Sequence, residues 1–405
     1  MNGLIVNLKL VYYNIIHHKV FALFCVFGTM LTFVFITIVA QVADILMNNT
    51  SPAMEAERIV SIPLVLLDDN GNPRKGLTSG DIQIITTNLK KMSCHTCYQS
   101  HSMDINVNGR STDYGVCFVD KNYWKVFQFE FVQGHSFTKS EMHTPCVIVN
   151  EYFVEKFFPD RNVINKEIEI QRRTYKIVGV VKNVSYFAQE GSASLWVPEQ
   201  FNRYASTGYV FTYILFPRSL TSEMALSSTR NSFKLFAEMF GIKESATLKH
   251  IETVKESMLH KYGGDFLVLG ISSILFILLI IPILNIILLN IANVTVRGSE
   301  AGLKRALGAS RWNVFEFMFM ENLLLVMIGT AFGIMLTFPV CHVLDKFLFS
   351  ENIDGGTTVL SELSWRVIFT WVLPLSVLFS LLSGGFPIYR LVKRSIIDLL
   401  KGGAK

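Results

Sequence analysis

Apolar positions along the chain fall into two regimes. Four windows contain no Asp, Glu, Lys or Arg: Val20–Ala43, Phe266–Val296, Asn322–Leu344 and Val367–Tyr389, of 24, 31, 23 and 23 residues. Each reaches the roughly 20 apolar residues that a helix needs to cross a bilayer core. In lipid only a helix satisfies its own backbone polar groups over such a length. The pattern predicts four transmembrane helices, the second kinked at Pro282 or running past the membrane face. The first apolar stretch is too long for a signal-peptide core and no small-x-small site follows it cleanly, so it reads as an uncleaved anchor.

Between the first two windows the period changes. Arg58–Leu67, Cys146–Val149, Glu167–Ile170 and Tyr175–Val181 are rich in Val, Ile and Tyr and predict strands. Glu151–Phe158 predicts a short helix ended by Pro159-Asp160, and Asp68–Gly76 a turn-rich loop. Leu248, Ile251, Val254, Met258 and Leu259 recur at helical spacing and predict a stalk helix leading towards Phe266. The predicted fold is an α-helical membrane protein with four transmembrane helices and a large α+β extracytoplasmic domain inserted between spans one and two.

Composition adds one point. The mean hydropathy is +0.38 and only 17% of residues are charged, yet all the charge lies outside the four windows. The whole is a soluble-type sequence interrupted by spans, not a uniformly apolar protein. Charge then sets orientation. The segments 1–19, 297–321 and 390–405 together hold 11 basic and 4 acidic residues, whereas 44–265 holds 24 of each and 345–366 holds 2 basic and 4 acidic. Basic flanks stay inside, so both termini are expected in the cytoplasm and the large domain outside. The net charge of +5 is therefore a topology signal and implies no nucleic-acid partner.

Candidate chemistry is sparse. Cys94, Cys97, Cys117 and Cys146 lie in the outer domain, an even number compatible with two disulfides on an oxidising side. Cys94-His95-Thr96-Cys97 with His101 admits three readings: structural disulfides or free thiols, a metal site, or a redox pair. No complete phosphate loop occurs. Gly71-Asn72-Pro73-Arg74-Lys75-Gly76-Leu77-Thr78 has Leu77 where lysine is required. The loop between spans two and three reads as a short basic helix, started by Ser299 with Glu300 near its positive end and stopped by Gly308.

Here the sequence resembles a family. Glu300-Ala301-Gly302-Leu303-Lys304-Arg305-Ala306-Leu307-Gly308-Ala309-Ser310-Arg311, then Asn313-Val314-Phe315 and Glu321-Asn322-Leu323-Leu324-Leu325, resembles the FtsX-like permease signature of the MacB-type ABC transporters. Val147–Asp160, Asn165–Ile168 and Tyr175–Val181 resemble the MacB-type periplasmic core domain. Asn7–Leu10 with Asn14 and His18-Lys19 is similar to the family's amphipathic opening, and Pro387, Arg390 and Ser395–Leu400 to its closing motif. The chain departs from the pattern at Arg297-Gly298, where a basic pair is common, and at Ala301, where Ile is common.

The resemblance implies this organisation: an amphipathic segment 1–19; spans 20–43, 266–296, 322–344 and 367–389; a periplasmic core domain with stalk helices at 44–265; a coupling-helix loop 297–321; a short periplasmic loop 345–366; and a cytoplasmic tail 390–405. It implies that Glu300, Gly302, Leu303, Lys304, Arg305, Ala306, Gly308 and Arg311 dock on a cytoplasmic ATP-binding subunit. ATP and Mg would be bound there, with no cofactor or metal in this chain and no catalytic residue of its own. The expected assembly is a dimer with a second permease copy or paralogue in the lipid of a bacterial inner membrane, with a periplasmic adaptor and outer-membrane channel as further partners. The implied function is mechanotransmission that drives export or extraction of an antibiotic, peptide, toxin or lipoprotein. The alternative is an FtsX-like regulator of an extracytoplasmic enzyme.

Overall fold

Among the described residues of the computed structural model, three helices are long and apolar enough to cross a membrane. They are α1 (Lys19–Met47), a long helix within Arg311–Phe349, and a helix within Trp365–Lys393. The structure describes residues 19–67, 72–89, 91–107, 109–188, 190–205, 209–241, 245–261, 298–349, 357–358 and 363–400, with a few helical positions between 269 and 280. The expected second span, Phe266–Val296, and the opening segment 1–18 lie almost wholly outside the described residues. The chain divides into two compact units. One comprises 1–44, 265–342 and 362–405, the other 45–264 and 343–361.

The second unit is built on a ten-stranded mixed sheet. Its strands are β1 (Ile59–Ile62), β4 (Cys94–Val107), β5 (Arg110–Val119), β6 (Phe131–Gly134), β7 (Cys146–Asn150), β8 (Glu167–Ile170), β9 (Arg173–Val181), β11 (Leu195–Pro198), β12 (Phe211–Leu215) and β13 (Glu252–Thr253). The order is β13-β1-β12-β4-β5-β11-β7-β9-β6, with β8 bridging β4 and β9. Two small pairs stand apart: β2 (Val65–Leu67) with β3 (Pro73–Gly76), and β10 (Val184–Ser185) with β14 (Thr357–Thr358). One apolar cluster around Tyr98, Cys117, Tyr123, Phe127 and Trp196 packs on one face. Two others, around Tyr114, Phe153 and Ile177 and around Ile82, Phe233 and Phe236, take alternate strand positions, as the two-residue period of a strand requires.

Local chemistry sets the helices of this unit. Thr78 and Asp81 form a reciprocal capping box that starts α2 (Ser79–Thr87). The short α3 (Tyr123–Val126) follows β5 and buries Tyr123. Asn150 caps α4 (Glu151–Phe157) through a 2.8 Å bond from the Phe153 N–H, and Pro159 follows its end. Thr221 caps α5 (Ser222–Met239).

Three sequence expectations are corrected. Arg58–Leu67 is two strands, because Pro63 lacks the N–H needed to continue a ladder. In the expected loop Asp68–Gly76, residues 73–76 form β3, paired with β2. The stalk pattern from Leu248 to Leu259 is not one helix. It is α6 (Ser245–Lys249), then β13 on the sheet edge, then α7 (Val254–Lys261). Thr253 and Glu256 form a second capping box, with Glu256 N–H to Thr253 Oγ1 at 3.1 Å and Thr253 N–H to Glu256 Oε2 at 3.0 Å. That start signal outweighs the apolar period running through it.

The first unit contains α1, α8 (298–306), α9 (Arg311–Phe349), α10 (Trp365–Lys393) and α11 (Ile396–Leu400). At 39 residues, α9 is about 58 Å long. Its Gly329 and Gly333 sit one helical turn apart against α1. A Cβ at Gly329 would fall 2.7 Å from Thr29 Cβ, and one at Gly333 2.8 Å from the Met30 carbonyl. This is the small-xxx-small close approach of membrane helices. Buried Thr37, Thr330 and Thr337 donate to carbonyls four residues back, at 2.6, 2.8 and 2.9 Å. α10 contains two π turns, Ile368–Val372 and Leu381–Gly385. At the start of α10, Arg366 pairs with Asp44 at 3.3 Å, and the Ser364 N–H donates to Gln41 at 3.0 Å.

Candidate functional site

The residues singled out in 297–321 fall on α8, the turn after it and the start of α9. The helix is two-faced. Gly298, Ala301 and Gly302 are buried, while Ser299, Leu303, Ala306 and Leu307 are exposed. Ala301 packs with Val314 and Met318 of α9, Leu391 and Val392 of α10, and Leu399 of α11. Ser299 and Glu300 are already helical, so the start of α8 lies no later than Gly298 and the expected Ser299 cap is not there.

Gly308 ends the helix by a Schellman arrangement. Its N–H donates to the Arg305 carbonyl at 3.1 Å, and the Ala309 N–H donates to that of Lys304 at 3.0 Å. Gly308 has φ +98°, a left-handed conformation that only glycine adopts freely. Ser310 then starts α9, accepting from the Asn313 N–H at 3.1 Å. A helix, a left-handed turn and a new cap within four residues fix how α8 is joined to α9.

The expected docking set separates into two groups. Arg305 faces inward. Its Nη1 donates to the carbonyls of Val392 at 3.3 Å, in the last turn of α10, and Arg394 at 2.7 Å, just past its end. A guanidinium at a helix C-terminus satisfies carbonyls that have no partner in the helix and complements its partial negative charge. Lys304 places Nζ 3.5 Å from the centroid of Phe317, a cation–π contact with α9. Gly302 is buried and Glu300 half-buried. Leu303, Ala306, Gly308 and Arg311 face outward. Two residues outside the expected set are also exposed, Leu307 at 80% and Trp312 at 67%. Trp312 stacks on Phe315 at 5.2 Å between centroids. Leu303 and Leu307, four apart in a helix rich in charge, were the available signal for an outward apolar stripe.

The outer-domain cysteines do not form a shared site. Cys94 and Cys97 lie three positions apart on β4, hence on opposite faces and about 10 Å apart along the strand, too far for a bridge. Cys94 packs on the Tyr123 cluster, Cys97 on the Phe233 cluster, and Cys117 is buried in the first of these. Cys94, Cys97 and Cys146 are free thiols. Burial pushes the Cys97 thiol up to about 12, offset in part by Thr212 and reinforced by Asp120 and Glu199. It pushes Cys146 to about 12 as well and raises Cys94. Thiols held protonated are poor nucleophiles, and among the described residues no group of three or more His, Cys, Asp or Glu is placed to hold a metal ion.

Apolar helices of membrane length, joined to a large α/β domain that follows the first of them in the chain, define a membrane protein with an extracellular domain. Comparison with known proteins names its kind. The MacB-like periplasmic core domain family matches residues 22–230, and the FtsX-like permease C-terminal family matches residues 272–396. The macrolide export ATP-binding/permease protein MacB of Mannheimia succiniciproducens is 27% identical over 57% of this chain and 36% of its own length. The ABC transporter permease YvrN of Bacillus subtilis is 26% identical over 56% of this chain and 57% of its own. The chain thus spans between about a third and three fifths of these relatives. The crystal structure of the periplasmic region of MacB from Actinobacillus actinomycetemcomitans aligns at 17% identity over 46% of this chain and 86% of that one, with a TM-score of 0.38. The chain belongs to the MacB/FtsX-like ABC transporter permeases.

Proposed function

We propose that this chain is a permease subunit through which nucleotide-driven motion in a separate cytoplasmic ATP-binding subunit reaches its extracytoplasmic domain. The observation that carries the reading is the outward face of α8 and the α9 start, where Leu303, Leu307 and Trp312 are all more than half exposed. A single exposed leucine is ordinary, whereas three exposed large apolar side chains within one short stretch, 303–312, favour an interaction surface. Behind that face, Arg305 and Lys304 tie α8 to α10 and α9, so force on Leu307 is shared with both helices.

In this reading the described apolar helices join the 266–296 window as four spans of a bacterial inner membrane, with both termini cytoplasmic. ATP and Mg are held by the partner ATPase, and two permease chains form the unit, with an adaptor and outer-membrane channel as further partners. Export of an antibiotic, peptide or toxin, or extraction of a lipoprotein, is the output. The macrolide-export relative favours export over regulation of an extracytoplasmic enzyme.

The test is co-purification of the full chain with its ATPase from membranes. Leu307→Asp with Trp312→Ala abolishes association, while Arg305→Gln retains it and lowers ATPase stimulation. Undiminished association of the Leu307→Asp/Trp312→Ala variant would overturn the assignment of this face.

A further inference from the structure

The last two turns of α10 have two unlike faces. Pro387, Ile388, Leu391 and Val392 are buried, the last three in one cluster with Ala301 of α8 and Val314 of α9. Phe386, Tyr389, Arg390 and Lys393 are exposed. They stand at positions i, i+3, i+4 and i+7 and so form one stripe along the helix. Within the stripe each cation lies over the ring one turn before it. The Arg390 guanidinium carbon is 4.4 Å from the Phe386 centroid, and Lys393 Nζ is 4.5 Å from that of Tyr389. Such a contact restricts where a cation sits without neutralising its charge.

The charge of this stripe is uncompensated. Residues 386–397 hold Arg390, Lys393 and Arg394 and no acidic residue, and Asp398 on α11 is the first beyond them. None of the three cations belongs to an ion pair among the described residues. The other end of α10 is arranged differently, since Arg366 there is paired with Asp44. Nor are the three needed to cap the helix. The carbonyls of Val392 and Arg394 already accept from Arg305.

The cationic stripe continues an apolar one. Phe369, Val377, Leu378, Leu381 and Leu382, earlier in α10, are exposed as well. Trp365 and Tyr389, both exposed, are separated by about 36 Å of helix. That length brackets a bilayer core of about 30 Å, with an aromatic ring at each edge. Arg390 and Lys393 then lie at headgroup depth, beside Tyr389 and one turn beyond it, at the end of a surface suited to acyl chains.

We propose that this stripe binds an anionic phospholipid, with the headgroup phosphate on Arg390 and Lys393 and the acyl chains along the exposed apolar face of α10. Guanidinium and ammonium groups both donate to phosphate oxygens. A zwitterionic headgroup carries the same phosphate together with a cationic amine, which three neighbouring cations repel, so selectivity follows net charge. Continuity of the cationic and apolar stripes favours a lipid over an acidic protein surface, which would match the cations alone. The assignment rests on α10 crossing the bilayer and not on the docking role of α8.

The test is native mass spectrometry of the full chain in neutral detergent with equimolar dioleoyl phosphatidylglycerol and dioleoyl phosphatidylcholine. Phosphatidylglycerol is expected to be the first lipid retained, by about tenfold. Arg390→Gln with Lys393→Gln, both at exposed positions, is expected to bring that ratio below about twofold, with an unchanged melting temperature and unchanged co-purification of the ATPase. The charge-keeping exchange Arg390→Lys with Lys393→Arg is expected to retain most of the preference. Glycerol 3-phosphate, a headgroup phosphate without chains, is expected to displace no lipid at equal concentration. No preference in the parent protein, a preference kept by the Gln pair, its loss in the charge-keeping exchange, or displacement by glycerol 3-phosphate would each overturn the proposal. Loss of ATPase association in the Gln pair with the lipid preference intact would do so as well and would assign the stripe to a protein partner.

Discussion

Asn322 of α9 donates from Nδ2 to the Ser380 carbonyl of α10 at 3.2 Å and to the Ser380 hydroxyl at 3.0 Å, with both residues buried. The bond lies next to the π turn Leu381–Gly385. It places a side-chain donor where the backbone ladder of α10 changes register. Interhelical hydrogen bonds of this kind contribute about 0.6 to 1.7 kcal/mol in membranes. Asn322→Leu is expected to destabilise the full chain in detergent by that margin, read as a lower melting temperature, and to leave ATPase association intact. A variant that melts with the parent protein would show that the contact contributes nothing.

Gly384 packs against the same asparagine. A Cβ there would come within 2.3 Å of Asn322 Nδ2 and 2.4 Å of Cγ. Gly384→Ala alone is expected to destabilise by about 1 to 3 kcal/mol through overpacking. Combined with Asn322→Ala, most of the clash disappears, so the double variant should melt above Gly384→Ala alone. Strictly additive losses in a double-mutant cycle would contradict this.

Gly308 gives a backbone prediction without a packing component. A Cβ at this position meets nothing within 4 Å, yet φ is +98°. Gly308→Ala should therefore cost about 1 kcal/mol through conformation alone, measured as the change in unfolding midpoint. A neutral result would mean that the turn between α8 and α9 relaxes without cost.

The capping box of α2 carries a pH signature. Burial tends to raise the Asp81 carboxyl, but hydrogen bonds from the Thr78 N–H and hydroxyl and the nearby Lys75 ammonium outweigh it and hold the group below its ordinary 3.8. A carboxylate depressed in the folded state adds stability at pH values above its unfolded pKa. That stability is lost as pH falls through the folded value. Thr78→Ala should cost about 1 kcal/mol at neutral pH and less once pH has fallen through the depressed folded value of Asp81, which lies below 3.8. A constant difference across that range would refute the linkage.

The buried thiols respond in the opposite direction. Cys97 and Cys146 are held protonated to about pH 12, so the folded state retains protons that an unfolded chain loses near 9.0. Their contribution is present below pH 9 and fades as pH rises towards 12. Iodoacetamide should label both slowly at pH 8 in the native protein and rapidly after denaturation. Fast native labelling of Cys97 would place it in an open environment.

How much of this was legible in sequence depends on the range of the cause. Pro159 after α4, the alternation in β9 and the uncharged windows at α1, α9 and α10 are local signals, and each appears in the pattern itself. Thr253-x-x-Glu256 was equally local, but the helical period of Leu248 to Leu259 ran across it, and the cap decided the outcome. Arg305 was legible as a basic residue on a short helix. Its partners at Val392 and Arg394 lie 87 and 89 positions away, and no local pattern announces a carbonyl brought there by tertiary structure. The β8–β9 turn was unreadable for the same reason. Gln171 and Arg172 are not turn residues by type, and only their neighbours hold them left-handed.

β4 contributes to all three apolar clusters of its unit, with Cys94 on the first and Cys97 on the third. Three residues apart, these two sulfurs are a built-in pair of reporters. Their rates of thiol labelling, compared as the protein is loaded, would resolve whether the two sides of the sheet loosen together or in sequence. The outer domain can thus be tested as a single rigid lever or as two layers that shear, without adding a cysteine to the chain.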